Sequence, residues 1–301
     1  MKNSSLLILV LSFIISCTSS SDVHSNKAQT EDVIVKNGNS LVWKIEKEGH
    51  QTSYIFGTMH MINESYFTMT PHLNYLIENS EQVIMEIGGQ PNPLEALSLM
   101  TLKDETINDY FTKEELTDLV KFMDLQLGIS PQQFQMTYTK MKPFLIFQSI
   151  TQAFFSQPTK SYDLTIMQMT QEYDIPLIGF ETMEQQLGFF DLIPNKDIAR
   201  MIMTSVKDFE KEKKGTEQLM KLYAKEQVSK FIPLMKDQSP EFMEFEDIFL
   251  TSRNKAWIPT ITTETKNKKC FIAVGAAHLF EENGIIQLLQ KEGFTLTAIQ
   301  K

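Results

Sequence analysis

The sequence predicts an α/β (α+β) fold with a central mixed β-sheet, surrounding helices and a large helical insertion or cap. Of the 301 residues, 42% are hydrophobic and 22% are charged, which is ordinary globular composition with enough apolar material for a sizeable core. Short apolar runs typical of strands lie near both ends of the chain. A long stretch with helical periodicity, about residues 91–265, separates them. We expect the domain to span residues 40–301.

Residues 1–16 have the features of a signal peptide. Lys2 supplies a positive charge, and an apolar run over residues 6–15 has the length of a signal-peptide core. A helix that crosses a bilayer needs about 20 such residues, so this run is too short for an ordinary membrane-spanning segment. The alternative is an uncleaved membrane anchor.

The end of this segment, Ile14-Ile15-Ser16-Cys17, resembles a bacterial lipobox, in which the cysteine is acylated after cleavage. We therefore expect a protein of the cell envelope that meets the membrane only through lipidated Cys17. In a Gram-negative organism this would be the outer membrane or the cell surface. Polar residues 17–39 predict a flexible tether. The alternative is an ordinary secretory signal in which Cys17 has no such role.

The N-terminal part of the domain predicts the first strands of the sheet. Residues 41–45 and 52–56 alternate between apolar and polar side chains across a short turn, which indicates a β-hairpin. Residues 71–78 have a short helical pattern. The apolar run over residues 82–85 then predicts another strand.

Helical periodicity dominates the middle of the chain. Thr112, followed three residues later by Glu115, has the arrangement of a capping box and marks a helix start. Residues 140–155 are strongly apolar and predict a buried helix, whereas residues 175–180 form a short apolar run bounded by turn residues, typical of a strand. The other predicted helices cover residues 163–173, 187–227 and 240–264.

The C-terminal part predicts a strand over residues 270–274, a helix over residues 281–291 and a strand over residues 294–299. Cys270 begins the first of these strands, so we expect a small buried side chain and not a nucleophile. The chain has two cysteines, which cannot form a disulfide framework.

Charge and motif content exclude several functions. The chain has 38 acidic and 28 basic residues, a formal net charge of −10, which argues against a nucleic-acid partner and provides no polybasic patch for anionic lipid. The sequence contains no His-Glu-x-x-His motif, no Gly-x-Ser-x-Gly motif and no phosphate-binding glycine loop. The familiar zincin and serine-hydrolase mechanisms are therefore excluded.

Two predicted strands end in the same pattern, a glycine followed three residues later by a histidine. The second strand of the hairpin leads into Gly57 and His60, and the strand near the C-terminus leads into Gly275 and His278. Glycine lets the backbone approach a ligand closely, and ligands bind at the carboxyl ends of strands in α/β sheets. The pattern favours a shared site, with two unrelated surface histidines as the alternative.

Glu86 interrupts an apolar run and places a carboxylate at the end of a predicted strand. A buried carboxylate without a partner is destabilising by several kcal/mol, so we expect a cation or strong donors beside it. Two imidazoles with one or two carboxylates suit zinc, manganese or cobalt, with positions left open for water. His60, Glu86 and His278 are therefore candidate ligands of a divalent metal, and Glu181 would supply the second carboxylate. The alternative is a solvent-facing Glu86 on an edge strand.

Arg253 and Glu181 are further candidates. Arg253 lies on a predicted helix and would supply a fixed cation for a developing oxyanion, with a surface salt bridge as the alternative. Glu181 follows the middle strand much as Glu86 follows its own strand. However, Glu181 to Glu184 also looks like the start of a helix.

A series of short motifs runs in order from about residue 40 to the C-terminus. These motifs are Leu41-Val42-Trp43-Lys44-Ile45, Ile55-Phe56-Gly57-Thr58-Met59-His60, Val83-Ile84-Met85-Glu86, Ile178-Gly179-Phe180-Glu181-Thr182-Met183-Glu184-Gln185-Gln186, Arg253-Asn254-Lys255-Ala256-Trp257 and Val274-Gly275-Ala276-Ala277-His278. Together they resemble the TraB/PrgY/GumN family, which is related to the Tiki proteases that cleave Wnt proteins.

The resemblance implies an α/β fold akin to that of erythromycin-esterase-like and ChaN-like proteins. It also implies a site of two Gly-x-x-His motifs, a glutamate and an arginine. These carry over to His60, His278, Glu86 and Arg253. Tiki members are described as divalent-metal-dependent proteases, whereas pheromone-shutdown members reduce peptide pheromone activity by degradation or sequestration.

Four more residues are candidates for supporting the ligands or binding substrate. Glu181 and Gln185 match the family's Glu-Thr-x-Glu-Gln pattern, although a helix start explains them nearly as well. Gly57 and Gly275 belong to the two Gly-x-x-His motifs.

Three functions fit these observations. The first is a lipid-anchored, metal-dependent hydrolase of the cell envelope, a peptidase that acts on a peptide or protein through metal-activated water. Glu86 would be both ligand and catalytic group, and Arg253 would polarise the carbonyl or hold the substrate. The second is a non-catalytic protein that sequesters a peptide in a groove lined by some of the 17 Met and 21 Phe residues. The third is an esterase-like hydrolase. The sequence identifies no specific protein partner.

Overall fold

The computed structural model describes residues 32–35, 38–89, 93–238 and 240–301. The predicted signal peptide, Cys17 and most of the predicted tether lie outside these residues, so the lipoprotein hypothesis stays a prediction. No helix in the described part of the chain is both long enough and apolar enough to cross a membrane.

A six-stranded mixed sheet organises the fold, which confirms the predicted α/β class. The strands in the described residues are β1 (Val42–Glu46), β2 (Ser53–Thr58), β3 (Ile62–Asn63), β4 (Gln82–Ile87), β5 (Thr159–Lys160), β6 (Leu177–Glu181), β7 (Cys270–Gly275) and β8 (Thr295–Ile299). The order in the main sheet is β6-β4-β7-β2-β1-β8, and β3 pairs with β5 separately. Strands β6, β4, β7 and β2 are parallel, whereas β1 is antiparallel to both β2 and β8.

The central strands are buried on both faces of the sheet. All six residues of β2 are buried, with Phe56 packed in the core on one face and Ile55 in the core on the other. Met85 and Ile84 of β4 are divided between the two cores in the same way. Successive side chains of a strand point to opposite faces of the sheet, and both faces are buried here. These strands therefore read as continuous apolar runs in the sequence.

Helices cover the sheet and also form a block with a core of its own. The α-helices in the described residues are α1 (Pro71–Glu78), α2 (Pro93–Leu99), α3 (Lys113–Leu127), α4 (Pro131–Tyr138), α5 (Pro143–Gln152), α6 (Tyr162–Glu172), α7 (Met183–Asp191), α8 (Asn195–Lys207), α9 (Phe209–Ala224), α10 (Phe231–Gln238), α11 (Pro240–Met243), α12 (Ser252–Glu264) and α13 (Ile285–Lys291). A π-helical turn, Asp247–Thr251, leads directly into α12. The separate core includes Met123 of α3, Ile150 of α5 and Ile202 of α8.

The predicted hairpin, the helix over residues 71–78 and the capping box of Thr112 and Glu115 are confirmed. The predicted helix over residues 187–227 was wrong in its continuity. It divides into α7, α8 and α9, because Pro194 caps α8 at its start and Asp208 leaves helical geometry between α8 and α9.

Two more predicted helices differ from the structure. The stretch over residues 240–264 divides into α11, the π-helical turn and α12. The helix predicted over residues 281–291 begins only at Ile285. Glu281 has a positive φ of 70°, which is not helical, and Gly284 is the N-cap residue. The helix therefore begins four residues later than predicted.

The long helical stretch also contributes one strand to the main sheet. Strand β6 pairs with β4, with Met85 opposite Gly179. A Cβ atom on Gly179 would collide with the backbone of Gly88, so glycine permits the close approach of these two chains. The pairing brings Glu181, at the end of β6, to the same edge of the sheet as Glu86.

Candidate metal centre

The carboxyl ends of four parallel strands place the predicted site residues together. His60 follows β2, Glu86 is near the end of β4, Glu181 ends β6, and His278 follows β7. Because parallel strands end at the same edge of a sheet, residues far apart in sequence converge there. Arg253 reaches this edge from α12. We call these five residues the edge cluster.

Glu86 lies at the centre of the edge cluster and is 5% exposed. Its Oε1 accepts the Gly275 N–H at 2.8 Å, and its Oε2 accepts from Arg253 Nη2 at 2.6 Å and Gln186 Nε2 at 3.1 Å. Burial raises the pKa of this carboxyl, but the nearby charges and the Gly275 N–H outweigh burial, so its pKa lies well below the ordinary value. Glu86 is therefore the buried, partnered carboxylate that the sequence predicted.

The buried His278 is held with a defined tautomer. Asn254 Nδ2 donates to the carbonyl oxygens of His278 and Asn283 at 3.3 and 2.9 Å, so Asn254 Oδ1 is the atom that faces His278 Nδ1 at 2.6 Å. Since this oxygen can only accept, Nδ1 carries the proton and Nε2 carries a lone pair. Burial lowers the pKa of His278 to about 3. Its Nε2 lies 3.7 Å from Glu86 Oε1.

His60 is held by a carboxylate in a similar way. Its Nδ1 lies 3.0 Å from Asp163 Oδ2, and Asp163 Oδ1 accepts from Thr58 Oγ1 at 3.0 Å. The Asp163 charge raises the pKa of His60 to about 9. The His60 side chain is 64% exposed, and its Nε2 lies 3.9 Å from Glu86 Oε1. Both histidines therefore direct Nε2 toward one oxygen atom while Nδ1 is bound by a polar side chain.

Arg253 is 8% exposed, and all five of its N–H groups contact acceptors in the protein. Nε and Nη2 bind the two carboxylate oxygens of Glu181 at 2.9 and 2.8 Å, and Nη2 also binds Glu86. Nη1 donates to the Phe249 carbonyl oxygen at 3.1 Å and contacts His278 Nε2 at 3.4 Å. The surface salt bridge considered as an alternative is therefore wrong for Arg253. Its predicted role toward the substrate stays a prediction.

The remaining candidates occupy different places. Glu181 lies in the edge cluster, where its Oε1 also accepts from Trp257 Nε1 at 2.9 Å. Gln185 forms a capping box with Thr182 at the start of α7, as the helix-start interpretation predicted. The next residue, Gln186, is the one that contacts Glu86. A role for Gln185 in substrate binding stays a prediction.

The two glycines of the Gly-x-x-His motifs serve different purposes. A Cβ on Gly57 would lie 2.7 Å from Leu279 Cδ1, so this glycine allows β2 to pack closely against the segment after β7. A Cβ on Gly275 would lie 3.3 Å from Glu86 Oε1 and 3.6 Å from His60 Nε2. Gly275 therefore leaves open the space that the two imidazoles and the carboxylate face.

This space fits a divalent metal in its chemistry. His278 Nε2 and Glu86 Oε1 are both acceptors, and a cation between them would relieve their mutual repulsion. Metal-binding histidines commonly donate Nδ1–H to a carboxylate or carbonyl oxygen, as His60 and His278 are placed to do. Two ligands of a tetrahedral ion with bonds near 2 Å lie about 3.3 Å apart, which is somewhat less than the 3.7 and 3.9 Å found here. Accordingly, no group of three or more His, Cys, Asp or Glu residues in the described ranges has metal-binding spacing as it stands.

Two cavities adjoin the edge cluster. The larger has a volume of about 510 Å³ and is lined mainly by apolar side chains of the helical block, including Phe147, Leu187 and Phe190. The second has a volume of about 430 Å³ and extends toward β5 and α6. The cavities therefore leave room for apolar groups of a ligand beside the cluster.

Sequence reasoning missed three residues that support the cluster: Asp163, Asn254 and Gln186. Asp163 resembles an ordinary acid in the first turn of α6, so it carried no signal. Asn254 and Gln186 belong to motifs that pointed to the site, and each is adjacent to a predicted residue.

Comparisons with known proteins support the relationship suggested by the motifs. The TraB/PrgY/gumN family profile matches residues 41–298, which is most of the chain. Neither the search of curated proteins nor the search of solved structures found a match. The family match spans both Gly-x-x-His motifs and every residue of the edge cluster. The chain therefore belongs to the TraB/PrgY/gumN family.

Proposed function

We propose that this protein is a divalent-metal-dependent hydrolase of the cell envelope, anchored through lipidated Cys17 and acting on peptides. The observation that carries the proposal is that the Nε2 atoms of His60 and His278 both face Glu86 Oε1. Each imidazole has its Nδ1 bound by another side chain, so both Nε2 atoms are directed to one place, and His60 would offer its lone pair there once it has lost the Nε2 proton. His60, Glu86 and His278 would hold the ion, with zinc, manganese or cobalt as candidates.

When bound, the ion would supply Lewis-acid activation of water and of the substrate carbonyl. The protein's own groups prepare the site for this chemistry. Arg253 keeps Glu86 ionised through its contact with Oε2, and Glu181 fixes the guanidinium through two hydrogen bonds. Asp163 orients the His60 ring.

Arg253 also has a group that can turn toward substrate. Its contact with His278 Nε2, at 3.4 Å, is the longest of its five, so this N–H is the least costly to release. Arg253 lines the larger cavity. A released Nη1–H would stabilise negative charge on the substrate carbonyl oxygen.

A direct test measures metal content and peptide cleavage in the full-length protein in detergent. His60→Ala and His278→Ala are compared with wild type and with His50→Ala, which changes a histidine at the hairpin turn, on the opposite edge of the sheet. We expect near-stoichiometric metal and cleavage in wild type and His50→Ala, and neither in the other two variants. Circular dichroism checks that all four proteins are folded. Wild type that neither binds metal nor cleaves peptides after addition of zinc, manganese or cobalt would contradict the proposal.

A second candidate function is peptide sequestration without turnover. The large apolar cavity favours it, as does the engagement of every Arg253 N–H group by the protein. Stoichiometric peptide binding that is unaffected by a chelator would support this function, whereas detection of cleaved product would exclude it.

A further inference from the structure

The two cavities meet at a boundary beside the edge cluster, since they share lining residues. Four residues line both cavities: His60, Glu86, Gln148 and Gln186. In an extended peptide, successive side chains point to opposite sides. A peptide lying along this boundary would therefore place neighbouring side chains in different cavities and its backbone beside the four shared residues.

Gln148 is the unusual member of this group. It lies on α5 and is partly buried, yet no donor among the described residues reaches its Oε1, which other protein atoms cover as the side chain stands. Rotation about the last side-chain torsion exchanges the positions of Oε1 and Nε2, so the acceptor can turn toward the cavities that Gln148 lines. Among the described residues, no acceptor pairs with its Nε2–H groups either. Other unpartnered buried atoms in this part of the chain, on Asn63, Asn74, Gln238 and Thr262, line neither cavity.

Gln186 offers a comparison at the same boundary. Its Nε2 donates to Glu86 Oε2 at 3.1 Å, so its carboxamide has a structural task. The Gln148 carboxamide has no such partner among the described residues, and leaving its buried Oε1 unpaired is unfavourable unless a ligand pairs with it. Gln148 therefore lies beside the edge cluster without a hydrogen-bonded side-chain partner among the described residues.

The chemistry of a carboxamide indicates its partner. It presents an acceptor and donors side by side, which complements the N–H and C=O groups that a peptide backbone offers. An ester has no N–H group, and an acyl chain has neither group. We propose that Gln148 binds the backbone of a peptide substrate next to the edge cluster and so favours peptides over esters. This inference rests on the proposed peptidase function.

The test uses a set of internally quenched peptides with a central Phe-Leu pair and the metal-loaded, full-length protein. For a cleaved peptide, each backbone N–H outside the cleaved bond is replaced in turn by an ester oxygen, and kcat/KM is measured for each analogue. We expect kcat/KM of wild type to fall about tenfold when the N–H at one position is replaced, because one hydrogen bond is removed. Gln148→Met should lose a similar factor on the parent peptide and be insensitive to replacement at that position.

Two further variants make the result specific. Gln148→Glu keeps an acceptor in nearly the same shape, so it should retain the sensitivity to the N–H replacement. Gln135→Met, an exposed change on α4, should behave as wild type. The proposal is overturned if no position is sensitive in wild type, or if Gln148→Met, folded and metal-loaded, stays as sensitive as wild type. If wild type cleaves no peptide, the peptidase function and this proposal are overturned together. If wild type cleaves peptides but Gln148→Met is as sensitive to the N–H replacements as wild type, only the proposal for Gln148 is overturned.

Discussion

The edge cluster and the wall of the larger cavity face the same space but are built differently. The edge cluster lies at the carboxyl ends of four parallel strands and on α12, and each of its side chains has at least one hydrogen-bonded partner in the protein. The wall consists of side chains from separate helices, among them Phe147, Leu187 and Phe190. Its contacts are apolar and not directional.

This difference assigns different tasks to the two regions. A metal or transition state needs groups held to within a fraction of an ångström, which hydrogen-bonded side chains on a rigid sheet provide. Recognition of apolar groups tolerates variation in shape, which Phe and Met side chains provide. Changes in the edge cluster should therefore affect stability, metal binding and catalysis, and changes in the wall should affect substrate choice.

The largest effect is expected from removing the buried arginine. Arg253→Met leaves Glu86 and Glu181 without their shared cation and should lower the free energy of unfolding by about 3–5 kcal/mol. Arg200→Met is the matched control, because Arg200 is 52% exposed and pairs with Asp197 on the surface. Arg200→Met should lower the free energy of unfolding by at most about 1 kcal/mol. Urea unfolding measures both, and equal losses for the two variants would contradict the assignment of Arg253 as the cation that holds the cluster together.

The next effect concerns the pH dependence of metal binding. Asp163 raises the pKa of His60 to about 9, and a metal needs His60 Nε2 without its proton. Metal affinity of wild type should therefore rise about tenfold per pH unit up to about pH 9 and then level off. In Asp163→Asn the rise should level off near the ordinary histidine pKa of about 6.5. Competition with a metal indicator between pH 6 and 10 measures this, and parallel profiles for the two proteins would exclude the role of Asp163.

The same pKa shift affects the stability of the metal-free protein. The folded pKa of His60 is raised above its unfolded value, so the attraction to Asp163 stabilises the fold fully below about pH 6.5. This contribution is lost as the pH rises through about 9. A metal-free Asp163→Asn protein should lack this part of the pH dependence.

The sequence revealed part of the edge cluster. His60, Glu86 and His278 were predictable because they come at the ends of apolar runs that read clearly as strands, and parallel strands end at a common edge. Arg253 lies on a helix, and only the motif resemblance pointed to its place in the site. Asp163 was not predictable, because its contact with His60 joins positions 103 residues apart and its local pattern is that of a helix start.

The cavity wall was predictable only in part. Residues 140–155 correctly indicated a helix, which is α5, but periodicity does not tell a core-facing side chain from one that lines a cavity. Ile146 is buried in the helical core and lines neither cavity, whereas Gln148, two residues later, lies at the boundary of both cavities. Only the packing of α5 against other elements decides between these outcomes.

A smaller effect is expected from the wall itself. Phe147→Ala should lower kcat/KM about tenfold for peptides with a large apolar residue at the cleaved bond, because it removes apolar contact in the cavity. Metal content should not change. Phe122→Ala is a control of the same chemistry, since Phe122 packs against Phe209 and does not line either cavity. Cleavage of a peptide library by the three proteins tests this, and loss of metal in Phe147→Ala would argue against separate tasks for the two regions.

The smallest effect on catalysis is expected from the proposed anchor. Cys17→Ser should move the protein from the membrane fraction to the soluble fraction while kcat/KM stays within about twofold, because a single lipid attachment outside the domain governs location and not the site. Fractionation and labelling with a fatty-acid analogue measure the change. Unaltered membrane association with no label in wild type would exclude lipidation at Cys17.

In the proposed function, His60, Glu86 and His278 together hold one divalent ion. Anomalous X-ray diffraction from crystals of the protein loaded with zinc tests this arrangement. We expect a single strong peak about 2 Å from Nε2 of both histidines and about 2.0–2.2 Å from Glu86 Oε1. A peak that contacts one histidine only, or no peak at the edge cluster in fully loaded protein, would contradict it.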